Sequence, residues 1–319
     1  MFNKILVPLD RSALAECVLP HAIALARALD SQLILLHVLS VSDKPDRLRA
    51  VDPLEWHLRR AEAETYLQAV GARLQEAGVP SAVHVNDGDA AETIVDFAHG
   101  QDIGLVLMAS HGQSGLSGWN VSSVAQKVIM RSRASIMIVR AYKPAQTDSF
   151  TLQYQRILAP LDNSARAECV LPLAAVLARV PETQILLAHV VERPAMPRRT
   201  PPSQEELELA DRLVERNRVE AENYLEVVRL QLPPTAVETR VLVGNQAAST
   251  LHDLVDQERI DLVLLSAHGY SGETRWPHGG LVASFVAYGS TPLLIFQDAP
   301  GEQSALTQAE AAVRNYESR

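Results

Sequence analysis

Hydrophobic positions along the chain fall into two alternating kinds of segment. Short, nearly unbroken apolar runs cover 3–9, 33–39, 82–86, 104–109 and 135–140, rich in Leu, Ile and Val. Apolar throughout, they read as strands covered on both faces. Between them lie segments with a single apolar face, 13–29, 54–77, 90–100 and 121–132. In 54–77, Ala63, Leu67, Val70 and Leu74 recur at i, i+4, i+7 and i+11, the stripe of an amphipathic helix. Strands alternating with helices predict a parallel sheet with right-handed crossovers and helices on both faces.

The pattern then repeats. Residues 4–38 align without a gap to 156–190, with 21 identities in 35 positions. Glu62-Ala63-Glu64-Thr65-Tyr66-Leu67 recurs as Glu220-Ala221-Glu222-Asn223-Tyr224-Leu225, and the helical stripe returns as Ala221, Leu225, Val228 and Leu232. Leu105-Val106-Leu107 and His111-Gly112 recur as Leu262-Val263-Leu264 and His268-Gly269. A duplicated domain follows, with copies at 1–143 and 154–299 and a polar tail at 300–319. The tail reads as a frayed helix or as disorder. The stretch 142–154 lacks periodicity and reads as the linker, whereas 40–53 and 192–204 read as mobile flaps near the strand ends.

Composition narrows the function classes. At 319 residues, 47% hydrophobic and 21% charged, the chain is globular and long enough for two domains. Its net charge of −9 disfavours a broad nucleic-acid surface, and 5% aromatics are too few for base stacking. No apolar run reaches the roughly 18 residues that span a bilayer. The stretch Phe2–Leu9 ends at Asp10, which suits a buried strand better than a signal peptide and predicts a cytoplasmic protein without membrane or nucleic-acid partners. Cys17 and Cys169 form no CxxC pair and occupy equivalent places on the first helices, as copies of one buried position would.

Open α/β sheets bind ligands beyond the carboxyl ends of their strands. There the first strand closes on Pro8-Leu9-Asp10-Arg11-Ser12, repeated as Pro160-Leu161-Asp162-Asn163-Ser164. Asp10 and Asp162 read either as helix caps or as ligand contacts, and the two roles are compatible. The fourth strand runs into a Gly/Ser loop from Ala109 to Gly118 and then a helix near Ser122-Ser123; the second copy reads Ser266-Ala267-His268-Gly269 and later Gly279-Gly280. Such a loop before a helix N-terminus lets backbone N–H groups approach an anion. His111 and His268 read as braces of this loop rather than general bases, and His37 and His189 as satisfied histidines. Trp56, Trp119 and Trp276 read as packing residues. Neither HExxH, Walker A nor a GxGxxG after the first strand is present, and no catalytic constellation emerges.

The opening I-L-V-P-L-D, the strand ending in H-V and the S-H-G-x-S-G loop feeding S-S-V-A resemble the universal stress protein family over nearly the whole chain, as two tandem domains. The resemblance implies an α/β fold of two doubly wound, parallel five-stranded Rossmann-like sheets related by pseudo-twofold symmetry. The two domains are then expected to cover each other at their fifth strands, Ser135–Arg140 and Pro292–Gln297, with a homodimer as the further assembly and a protein partner of unknown identity. A subset of the family binds ATP, with phosphates and ribose on G-x-x-G, nine residues, then G-[S/T]. Carried over, the adenosine side is Pro8, Asp10 and Val38, and Pro160, Asp162 and Val190. The phosphate motif falls on Ala109, Gly112, Ser122 and Ser123, and on Ser266, Gly269, Gly279 and Gly280. Both copies keep the spacing of nine and depart in residue type, and Gln113 and Tyr270 stand where the family often carries a basic residue. The expected function is a regulatory stress-response protein binding ATP or ADP, with Mg²⁺ as a possible companion and slow hydrolysis or none. The alternative is an interaction scaffold whose loops no longer take nucleotide.

Overall fold

A computed structural model describes residues 1–40, 53–113, 115, 120–141, 152–195, 201–233, 237–269 and 278–297. The core of the predicted linker, most of the flap at 40–53, part of that at 192–204, the tail, Trp119, Tyr270 and Trp276 lie outside the described residues. The chain forms two compact units, one built on Met1–Gln153 together with Val286–Leu294, the other on Tyr154–Phe285 and the residues from Ile295 on.

In the first unit β1 (Lys4–Pro8), β2 (Gln32–Leu39), β3 (Ser81–Asp87), β4 (Leu105–Ala109) and β5 (Ser135–Val139) alternate with α1 (Leu19–Leu29), α2 (Pro53–Glu76), α3 (Ala90–Gly100) and α4 (Ser123–Arg131). The sheet order is β3-β2-β1-β4-β5, all parallel, with Pro8 opposite Leu36 and Ile5 opposite Leu105. In the second repeat β6 (Arg156–Pro160), β7 (Gln184–Glu192), β8 (Val237–Gly244), β9 (Leu262–Ser266) and β10 (Leu293–Phe296) alternate with α5 (Leu171–Leu177), α6 (Gln204–Arg229), α7 (Ala247–Gln257) and α8 (Gly280–Tyr288). Its order is β10-β9-β6-β7-β8, the same winding.

Four of the five expected strands are buried on both faces, with Ile5, Leu6, Val7, Leu33, Leu35 and Leu36 fully enclosed. By contrast β3, at the end of the strand order with one edge unpaired among the described residues, is half-buried over 82–86 apart from Val85. The α2 stripe is equally enclosed at Ala63, Leu67, Val70 and Leu74. Burying a leucine side chain contributes about 2 kcal/mol, so this one face is enough to dock the helix. Elsewhere local chemistry moves the boundaries. The segment 13–29 splits into a 3₁₀ turn, Ala15–Val18, and then α1, because Pro20 has no N–H for the ladder and is tolerated only in a first helical turn. Leu232, placed by the repeat on the α6 stripe, lies beyond the end of that helix. Pro233 follows it and disfavours helical backbone at Leu232, whose side chain is nonetheless buried. Within the expected flap at 192–204, Glu192 closes β7, while Ser203 opens α6 through a reciprocal capping box with Glu206.

Candidate functional site

In each unit the sheet order reverses at its first strand, since β1 lies between β2 and β4 and β6 between β7 and β9. At such a switch point the connections leaving the paired strands diverge and open a cleft over their carboxyl ends. Pro8 ends β1, Val38 is the penultimate residue of β2, Ala109 ends β4, and Ser122 and Ser123 open α4. In the second unit Pro160 ends β6, Val190 lies near the end of β7, Ser266 ends β9, and Gly279-Gly280 opens α8. Both halves of each phosphate-loop motif meet through the backbone: Ser122 N–H donates to Ser110 O at 2.7 Å, and Gly279 N–H to Ala267 O at 2.7 Å.

Asp10 joins two loops. Its Oδ1 accepts from Ser12 N–H at 3.0 Å and from the Ser12 hydroxyl at 2.6 Å, while Oδ2 accepts from the Gln113 amide. The helix-capping half of the expectation falls instead to Ser12, whose Oγ accepts from Ala15 N–H at 3.0 Å. Asp162 repeats the turn with Ser164 at 3.1 and 2.6 Å, and Ser164 accepts from Ala167 N–H at 3.1 Å. The intervening Arg11 and Asn163 both take left-handed backbone, φ 68° and 65°, as this tight turn requires.

This turn explains one glycine of each motif. A Cβ on Gly112 would stand 2.9 Å from Asp10 Cγ and closer still to Oδ2; a Cβ on Gly269 would meet the Asp162 carboxylate in the same way. The other pair differs. Among the described residues nothing lies within 4 Å of a Cβ built on Gly280, and the nearest atom to one on Gly279 is Ala267 O at 3.7 Å. The described residues leave room for side chains at both. In the first unit the position of Gly279 carries Ser122, whose hydroxyl accepts from Ala125 N–H at 3.2 Å and so caps α4. Ser123 beside it is exposed.

The histidines act as struts. His37 Nδ1 donates to Leu9 O at 2.7 Å and His189 Nδ1 to Leu161 O at 2.9 Å, each holding the residue before the aspartate. Burial pushes the His189 pKa down, against the opposing pull of that carbonyl and of Asp162. His111 is buried and contacts Ser110 Oγ through Nδ1 at 3.1 Å, and Ser110 in turn accepts from Ala141 N–H at 3.0 Å. His268 is half-buried. The cysteines are less alike than the sequence suggests. Burial pushes the Cys17 thiol up to about 12, whereas Cys169 is only partly buried and donates to Ser266 Oγ at 3.4 Å. Trp56 is half-buried on α2.

Residue-type reasoning missed Ser12, Ser164 and two phenol–carboxylate pairs. Tyr66 donates to Glu16 at 3.0 Å and Tyr224 to Glu168 at 2.9 Å. The signal was present, since Ala-Glu-Cys-Val-Leu-Pro and the Tyr-Leu of the long helix recur in both copies. Their mutual contact was not legible without the fold.

Two doubly wound α/β domains, each with a glycine-bearing loop between its fourth strand and next helix, define a tandem Rossmann-like α/β protein. The universal stress protein family model matches residues 1–140 and 153–297, and the chain belongs to that family. A universal stress protein of Synechocystis, Sll1388, is 33% identical over 152 residues, spanning 44% of this chain and 98% of its own. The crystal structure of a universal stress protein from Archaeoglobus fulgidus covers 94% of this chain and 100% of its own, at TM-score 0.65 and 16% identity, which speaks to the fold alone. A universal stress protein solved in complex with cAMP aligns over 44% of this chain and 98% of its own, at 19% identity and TM-score 0.34. No helix among the described residues is long and apolar enough to cross a membrane.

Proposed function

We propose that the protein is a nucleotide-dependent regulator of the stress response that binds an adenine nucleotide, ATP or ADP, in its second domain. One observation carries this reading: among the described residues, neither backbone conformation nor packing requires Gly279 or Gly280, yet they leave the residue before α8 and the first residue of α8 without side chains. Unpaired N–H groups of a helix start attract anions, and a missing Cβ lets a phosphate come close to the backbone. Pro160, Asp162 and Val190 stand at the neighbouring strand ends, where the family resemblance assigns the adenosine. In the first domain Ser122 supplies a protein hydroxyl to the corresponding helix start, so that cleft takes nucleotide weakly or serves as scaffold. Binding rather than turnover is the expected role, because no acid or nucleophile is repeated beside His111 and His268. Mg²⁺ accompanying the phosphates, a homodimer and residence in the cytoplasm belong to the same reading.

The test is to denature freshly purified protein and identify released nucleotide by chromatography and mass, then to titrate emptied protein with ATP, ADP and cAMP. About one equivalent per chain is expected, lost in Gly280→Val with the unfolding transition unchanged. A wild-type protein that carries no nucleotide and ignores all three would move the reading to the scaffold.

A further inference from the structure

The two phenol–carboxylate pairs have no part in the reading above. Glu16 and Glu168 lie in the 3₁₀ turns that follow the Asp-x-Ser turns, and Tyr66 and Tyr224 reach them from the long helices α2 and α6. Taking a phenol and a carboxylate out of water is unfavourable, and an apolar pair would fill the same space without that penalty. Both copies nevertheless keep the pair. They keep it even though Arg73, which also binds Glu16 at 3.0 Å, has the uncharged Gln231 as its counterpart. Packing alone does not explain an ionisable pair maintained twice.

The contacts continue from these pairs to the loops. In the first domain Tyr66 holds Glu16, and the adjacent Ala15 N–H is held by Ser12 Oγ at 3.0 Å. The Ser12 hydroxyl donates to Asp10 at 2.6 Å, and Asp10 accepts from the Gln113 amide in the loop after β4. The second domain repeats the first links, through Tyr224, Glu168, Ala167, Ser164 and Asp162, with the Asp162 carboxylate against Gly269. From this geometry we infer that Tyr66 and Tyr224 are positioning residues, which anchor the 3₁₀ turn to the long helix and through Ser and Asp fix the loop after the fourth strand. Its consequence for ligand affinity rests on the nucleotide reading; its consequence for loop order does not.

Amide hydrogen exchange in the full chain tests the inference. Tyr66→Phe and Glu16→Ala are expected to speed exchange at the Gln113 amide about tenfold, the scale of losing one hydrogen bond to a charged group. Glu16→Gln, which still offers an oxygen to the phenol, should keep Gln113 near its wild-type rate. Amides of β5, Ile136 to Ile138, should not change in any of the three, whereas a merely structural role would speed them together with Gln113. Uniform acceleration, or an unchanged Gln113 in Tyr66→Phe, overturns the inference. In a second measurement Tyr224→Phe should weaken ATP binding about three- to tenfold; unchanged affinity overturns the inference for the second domain. If the wild-type chain takes no ATP, the nucleotide reading falls and the exchange at Gln113 still decides this one.

Discussion

His21 offers a stability test with a defined sign. It sits on α1, where burial lowers its pKa from 6.5 to about 4. The second domain has Leu173 at the equivalent place, fully buried. Between those two pKa values the unfolded chain binds a proton that the folded chain refuses, so stability rises with pH there. The contribution is complete above pH 6.5 and is lost as pH falls toward 4. Relative to pH 7.5, this one ring should cost the first domain about 2 kcal/mol at pH 5, an upper figure because the ring keeps some contact with water. With a urea slope of about 2 kcal/mol/M, the transition should move by about 1 M. His21→Leu removes the proton site while keeping an apolar side chain, so its transition should be nearly level between the two pH values. Carboxylate protonation acts on both proteins and cancels in the comparison. Two domains need not unfold in one step, so urea titrations should follow hydrogen exchange of β1 peptides as well as fluorescence. If His21→Leu loses as much stability as the wild type between pH 7.5 and pH 5, the reasoning is wrong.

Other consequences are equally concrete. Gly112→Ala forces a Cβ into the Asp10 carboxylate and should destabilise the first domain by about 1–3 kcal/mol, with partial recovery in Gly112→Ala/Asp10→Ala; thermal unfolding of the three variants checks this. Ser122→Gly should cost only a few tenths of a kcal/mol as a cap yet raise bound nucleotide from one toward two equivalents per chain, and an unchanged stoichiometry would count against Ser122 as the residue that closes the first cleft. Cys17, with its thiol pushed up to about 12, should resist alkylation in the native state, while Cys169 reacts first; peptide mapping after brief iodoacetamide treatment distinguishes them. Leu67→Ala, emptying a fully enclosed site on the α2 stripe, should cost about 2–5 kcal/mol in urea unfolding.

Much of the fold was legible because its signals are local and doubled. Strands buried on both faces read as unbroken apolar runs, and each helix shows its buried stripe in the spacing of a few residues. The family resemblance rested on order and spacing, which the two copies display independently. What escaped was set by single residues acting across the fold. Pro20 and Pro233 each moved a helix boundary by removing a donor or restricting the residue before it. Asp10 looked like a cap because the positions just after a strand favour caps; only the approach of Gln113, 103 residues away, shows it bridging two loops. The Tyr66–Glu16 pair was visible as repetition but not as a contact, since sequence spacing does not say which helix face meets which turn.

The glycines separate what the fold requires from what a ligand would require. Gly112 and Gly269 are held by the protein itself, because an aspartate carboxylate occupies the space a side chain would need, and both copies keep them. Gly279 and Gly280 have no such neighbour among the described residues, and it is there that the copies depart from the family pattern, the first at Ser122 and the second at Gly280. The departure at Ser122 in the first domain has thus fallen where folding does not resist it. It has also fallen where the cost would appear only in binding, and the incoming Ser122 hydroxyl satisfies the N–H that would otherwise wait for an anion. A helix start capped by its own side chain in one copy and left bare in the other is what the proposed nucleotide reading requires for one binding site per chain.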